Sequence, residues 1–290
     1  MRRFNWSRGS LRPAALAAPA PASRKAGLTF AILACGITWF ATIPEALRRF
    51  HLISFHVPQW VYVVCLFGPA IAAIIVSLAF EGSGGLRGLA ATFRFRVSPG
   101  WYGFALLMPF LTLGVVAGGM AMVGAPWPSR HAWWTALSQT FWLLPLFLRE
   151  ELGWRGYLLP LLLRTQTPLR ATAWTTLVWA AWHIPQYIAN TSIEYGLLML
   201  VLIMPVSVLF TLIFIRTQSV IPCVLFHSAI DCGSAQLLFF PLGQDYKPAL
   251  VIWALLLCLL SFPAIRAMLR QQKKEPNHLR EPTVIGRGSL

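Results

Sequence analysis

Residues 147–161, LFLREELGWRGYLLP, set Arg149, Glu150, Glu151 and Arg155 inside an otherwise apolar run. Adjacent carboxylates are the raw material for moving protons to and from water. On a helix Glu151 and Arg155 are i, i+4 neighbours, with the acid on the N-terminal side, which is the favourable order for an ion pair. Glu150 projects roughly 100° away from Glu151. It is therefore the carboxylate less neutralised by Arg155 and the sharper candidate for a general base. From residue types alone, a structural network of all four charges carries about equal weight.

Two further polar groupings follow. VWAAWHIPQY places His183 deep in an apolar stretch, with Trp179 one turn earlier and Pro185 just after it. IPCVLFHSAIDC carries His227 and Asp231, spaced i, i+4 and so on one helical face. That spacing suits two ligands to a metal, two groups aimed at one substrate atom, or a His–Asp hydrogen bond that stiffens the helix. Taken together, a carboxylate, two histidines and an aspartate form a hydrolytic set: groups to activate water and groups to hold a developing oxyanion.

The elements that must position these residues follow from composition. The chain is 57% hydrophobic and 11% charged, with a mean hydropathy of +0.63, which places it among polytopic membrane proteins. The expected fold is all-α, with about eight transmembrane helices around an intramembrane cavity. The apolar stretches lie near 27–46, 58–80, 101–123, 134–163, 171–191, 195–215, 219–240 and 248–268, each long enough for the roughly 20 residues a bilayer core requires. Residues 1–26 read as a basic Ala/Pro-rich arm, 27–268 as the membrane domain with its motif core at 134–240, and 269–290 as a polar basic tail.

A net charge of +15 does not point to nucleic acid, because no basic stretch is interleaved with aromatics. It follows the positive-inside rule instead. With both termini cytoplasmic, only Arg48, Arg49, Arg130 and Lys247 fall outside, apart from Arg149 and Arg155 within the fourth span. The expected location is the plasma membrane. The five cysteines form no CxxC pair, which excludes a disulfide framework or zinc knuckle. Charges inside a span cost about 2.5 to 3.5 kcal/mol each and so need a partner or a task.

The motifs resemble a known family. EELGWRG matches an EExxxR motif, WAAWH a (F/W)xxxH motif and HSAID an Hxxx(N/D) motif, in that order on hydrophobic stretches. Together they resemble the CPBP family of CAAX proteases and bacteriocin-processing enzymes, also called type II CAAX prenyl endopeptidases or the ABI family. The resemblance implies an intramembrane endopeptidase acting on a peptide or protein substrate, lipidated or not, in contact with membrane lipid. It implies that Glu150 and His183 activate the nucleophilic water and that His227 and Asp231 support the oxyanion or the water. Glu151 and Arg155 then form a supporting pair, and Trp179 fills the aromatic position. Asp231 stands where eukaryotic relatives carry Asn. An anion is a poor oxyanion donor, so here it is expected to orient His227 or bind a cation.

The resemblance leaves the cofactor open between a divalent metal such as zinc, with Glu150, His183, His227 and Asp231 as candidate ligands, and none. Two other function classes fit intramembrane Glu and His. One is a proton-coupled transporter, which would need a polar path across the membrane. The other is a non-catalytic membrane scaffold or immunity protein.

Overall fold

The computed structural model describes residues 20–242 and 246–274, and among these there are helices but no strand. The helices are α1 (Ala20–Arg49), α2 (Gln59–Cys65), α3 (Gly68–Ala90), α4 (Pro99–Met122), α5 (Arg130–Trp142), α6 (Leu144–Gly153), α7 (Leu159–Leu163), α8 (Pro168–Asn190), α9 (Ile193–Thr217), α10 (Ile221–Ser234), α11 (Phe240–Leu242) and α12 (Tyr246–Lys274). Wider π-helical turns, Trp154–Leu158 and Ala235–Phe239, follow α6 and α10. The chain is an all-α polytopic membrane protein.

Prolines mark many of the starts. Pro69, Pro99, Pro145, Pro168 and Pro222 sit in the first turn of their helices, where a missing N–H costs nothing and the fixed φ suits the helix. Ser129 and Ser192 cap α5 and α9, accepting hydrogen bonds from the backbone N–H groups of Ala132 and Tyr195.

Six helical segments among the described residues are long and apolar enough to cross a membrane: Arg24–Arg49, Gly68–Ala90, Pro99–Met122, Ile193–Thr217, Ile221–Phe239 and Lys247–Arg270. The other two of the eight expected spans differ in a specific way. The stretch 134–163 is broken at Leu143, whose φ of −95° and ψ of 4° interrupt the helix before Pro145 starts the next one. The stretch 171–191 is one 23-residue helix, α8, whose Trp, Thr, His and Gln side chains make it more polar than a lipid-facing span. The stretch 58–80 also divides, into α2 and α3 at Leu66 and Phe67, and α3 bends at Gly82, where φ is +58°. The boundaries of the two tails shift as well. α1 begins within the expected arm, at Ala20, and α12 continues to Lys274; residues 1–19 and 275–290 of those tails lie outside the described residues.

α10 sits at the centre, packed against α4, α5, α6 and α9, while α1 packs on α3 and α8, and α6 on α3. Ser228 on α10 donates to the Thr140 carbonyl of α5 at 2.7 Å. Trp182 on α8 donates through Nε1 to Thr38 of α1 at 2.8 Å. α6 meets α3 through Gly153, where an added Cβ would lie 2.7 Å from the carbonyl carbon and oxygen of Pro69. Gly153→Ala is therefore expected to destabilise the fold by about 1–3 kcal/mol, read as a lower unfolding temperature in detergent.

Candidate active site

α6, its π turn, α8 and α10 bring the polar groupings of the sequence to one place. Glu151 is fully buried, and its Oε1 accepts two short hydrogen bonds, from Arg155 Nη1 and from His227 Nδ1, each at 2.8 Å. Arg155, 1% exposed, is the second residue of the π turn that directly follows α6. π turns recur at functional sites because the extra residue re-aims side chains without ending the helix. The Arg155 guanidinium lies 3.8 Å from the Phe210 ring centre and 4.4 Å from that of Trp179, so aromatic faces cover the cation where carboxylate does not.

Glu150 is held differently. Trp179 Nε1–H donates to its Oε2 at 3.2 Å, and Arg149 Nη2 stands 3.5 Å from its Oε1. Arg155 makes its short ion pair with Glu151 rather than with Glu150. Glu150 is nevertheless not free of cations, because Arg149 lies beside it, and Arg149, His183 and His227 are all near enough to act on its charge.

Trp179 joins the parts. Its indole binds Glu150, and its carbonyl lies 3.0 Å from His183 Nδ1. A carbonyl only accepts, so Nδ1 carries the hydrogen and Nε2 is left as the imidazole's acceptor. The Trp179 ring also packs against those of His183 and His227, at 5.5 and 5.6 Å between centres. His183 is enclosed further by Trp182 at 4.6 Å and by Tyr187, stacked at 5.1 Å. The Phe147 and Phe210 rings stand 4.8 and 5.5 Å from His227.

Asp231 departs from expectation. It lies on the same face of α10 as His227, yet its Oδ2 is 3.7 Å from Nε2, too long for a hydrogen bond, and its side chain is 52% exposed. Glu151, not Asp231, orients His227. The i, i+4 rule gives a shared face but not contact: Glu151 bonds Nδ1 from another helix, while Asp231 faces the other ring nitrogen, Nε2. Residues that sequence reasoning passed over include Tyr187, which its i+4 spacing from His183 could have flagged. Phe147 and Phe210 sit in apolar runs that carry no such signal.

A metal was tested by its donors. No three His, Cys, Asp or Glu side chains among the described residues converge as ligands, although the Nδ1 bonds to Glu151 and to the Trp179 carbonyl are of the kind a ligating histidine keeps and leave each Nε2 free. This donor set does not fit the three protein ligands of a catalytic zinc, so no step below passes through a metal.

Residues 131–233 match the model of a family described as Type II CAAX prenyl endopeptidase Rce1-like. The chain is also 34% identical over 117 residues to CAAX prenyl protease 2 of Methanococcus maripaludis, an alignment covering 37% of this chain and 42% of that protein. The chain thus spans about two fifths of the length of this curated relative. The matched residues contain every side chain of the cluster above, from Arg149 to Asp231. Through this match and the three ordered motifs inside it, residues 131–233 are similar to the Rce1-like type II CAAX prenyl endopeptidase family.

Proposed function

We propose that this protein is an intramembrane endopeptidase that hydrolyses a peptide bond of a membrane-associated or prenylated substrate, using water activated at Glu150 and His183. The observation that carries the reading is the Trp179 bridge, which holds Glu150 through its indole and His183 through its carbonyl. One carboxylate oxygen and one imidazole nitrogen are thereby fixed on facing helices, the arrangement that positions a water for deprotonation.

In this mechanism Glu150 takes a proton from water held against His183 Nε2, and the oxygen attacks the scissile carbonyl carbon. The carbonyl oxygen becomes an oxyanion. His227 donates Nδ1–H to Glu151 and, as the imidazolium, Nε2–H towards that oxyanion. Glu150 then passes its proton to the leaving nitrogen, the C–N bond breaks, and a new carboxylate and amine leave the site. Asp231, half exposed at 3.7 Å from Nε2, supports the charge of His227. Both termini face the cytoplasm in this reading, which puts the exposed Arg87, Arg94, Arg96 and Arg170 on the cytoplasmic side of the plasma membrane.

The test is a proteomic comparison of membranes from cells carrying the wild-type or the Glu150→Ala protein. A membrane-associated precursor should accumulate in the variant and its shortened form in the wild type; identical profiles contradict the reading. Trp179→Phe keeps the ring but removes the hydrogen bond to Glu150. A bond to a charged group contributes about 1.5–3 kcal/mol, so turnover should fall about tenfold or more, with the purified protein still folded by circular dichroism.

A further inference from the structure

Arg149 has no part in the mechanism above, although it is only 9% exposed and next to the proposed base. Its guanidinium is poorly satisfied. The contact to Glu150 is 3.5 Å, well beyond the 2.7–2.9 Å of a charge-assisted hydrogen bond. Its Nε is buried and has no hydrogen-bond partner among the described residues, and the nearest aromatic face, Phe67, is 6.0 Å away.

Arg155 also has one buried donor without a partner, Nη2, but its charge is matched far more closely than that of Arg149. Arg155 has a 2.8 Å carboxylate bond and two aromatic faces within 4.4 Å. Arg149 has neither, although it stands 3.5 Å from the proposed base, Glu150. A buried guanidinium with an unused donor costs free energy unless an acceptor arrives. The planar fork of arginine matches a carboxylate or a phosphate, and of these a peptide substrate carries the carboxylate.

We infer that Arg149 is a substrate-binding residue that receives a carboxylate of the peptide, beside the scissile bond. The inference rests on the proposed peptidase reading for its substrate. Two sources share this chemistry, the α-carboxylate of a chain cut near its C-terminus and an acidic side chain.

The experiment compares three versions of one short prenylated peptide: a free C-terminal acid, the C-terminal amide, and the amide with one aspartate added after the cleavage site. Binding and cleavage are both measured with full-length protein in detergent. The wild type should bind the acid about tenfold or more tightly than the plain amide. In Arg149→Gln that ratio should collapse towards one, and in Arg149→Lys part of it should return. If the aspartate peptide carries the preference in place of the acid, the carboxylate comes from a side chain. An acid-to-amide and aspartate-to-amide ratio near one in the wild type overturns the inference without need of any variant. So does a preference that survives in Arg149→Gln, or a variant that slows all three peptides equally, as an arginine that merely positions Glu150 would. Arg149-dependent preference without cleavage would retain the carboxylate site and remove the hydrolytic reading, whereas Glu150-dependent cleavage with no preference would do the reverse.

Discussion

Replacing Glu150 with alanine is expected to lower peptide hydrolysis by a factor of about 10² to 10⁴, the usual contribution of a positioned general base, while the protein remains folded in detergent. The two halves of this expectation have separate grounds. Glu150 contributes one 3.2 Å bond to Trp179 and one loose contact to Arg149, so its loss breaks little of the framework. The framework bonds, Glu151 to Arg155 and to His227, are untouched. Hydrolysis near the wild-type rate in a folded Glu150→Ala protein would remove Glu150 from the chemistry.

Glu151→Ala should fail for the opposite reason. It leaves Arg155 buried at 1% exposure without its carboxylate and strips His227 of its orienting partner. Breaking one half of a buried ion pair costs about 3–5 kcal/mol, enough to lower the unfolding temperature and the yield sharply. The double variant Glu151→Leu with Arg155→Met removes both charges and should recover much of that stability, since apolar pairs often replace buried ion pairs without loss. Activity should not return with it, because His227 Nδ1 still lacks its acceptor. Thermal unfolding and turnover measured on the same preparations separate these effects. Restored turnover in the double variant would show that Glu151 acts only as a brace.

Much of this site was legible in the sequence, because charges in an apolar chain are conspicuous. Only a few ionisable residues lie deep, and i, i+4 spacing was enough to pair Glu151 with Arg155 and to set Glu150 apart. What spacing could not give was contact between helices. The bond from Glu151 to His227 crosses 76 positions of chain, and the bond from Trp179 to Glu150 crosses 29. Asp231 was expected to orient His227 or to bind a cation; the carboxylate that hydrogen-bonds the ring is that of Glu151, distant in sequence. The fold shows a similar division. Hydropathy located the apolar stretches, but Pro145 and the break at Leu143 turned one long stretch into α5 and α6.

The central claim is that water, activated at Glu150 and His183, cleaves a peptide bond inside the membrane. It is tested most directly with purified protein in liposomes, a prenylated peptide ending in a CAAX sequence, and water enriched in ¹⁸O. Mass spectrometry should find two shorter products, with one ¹⁸O in the new carboxylate, and neither product with Glu150→Ala or His183→Ala. Cleavage at the wild-type rate by either variant, or an intact peptide with the wild-type protein, would contradict the account.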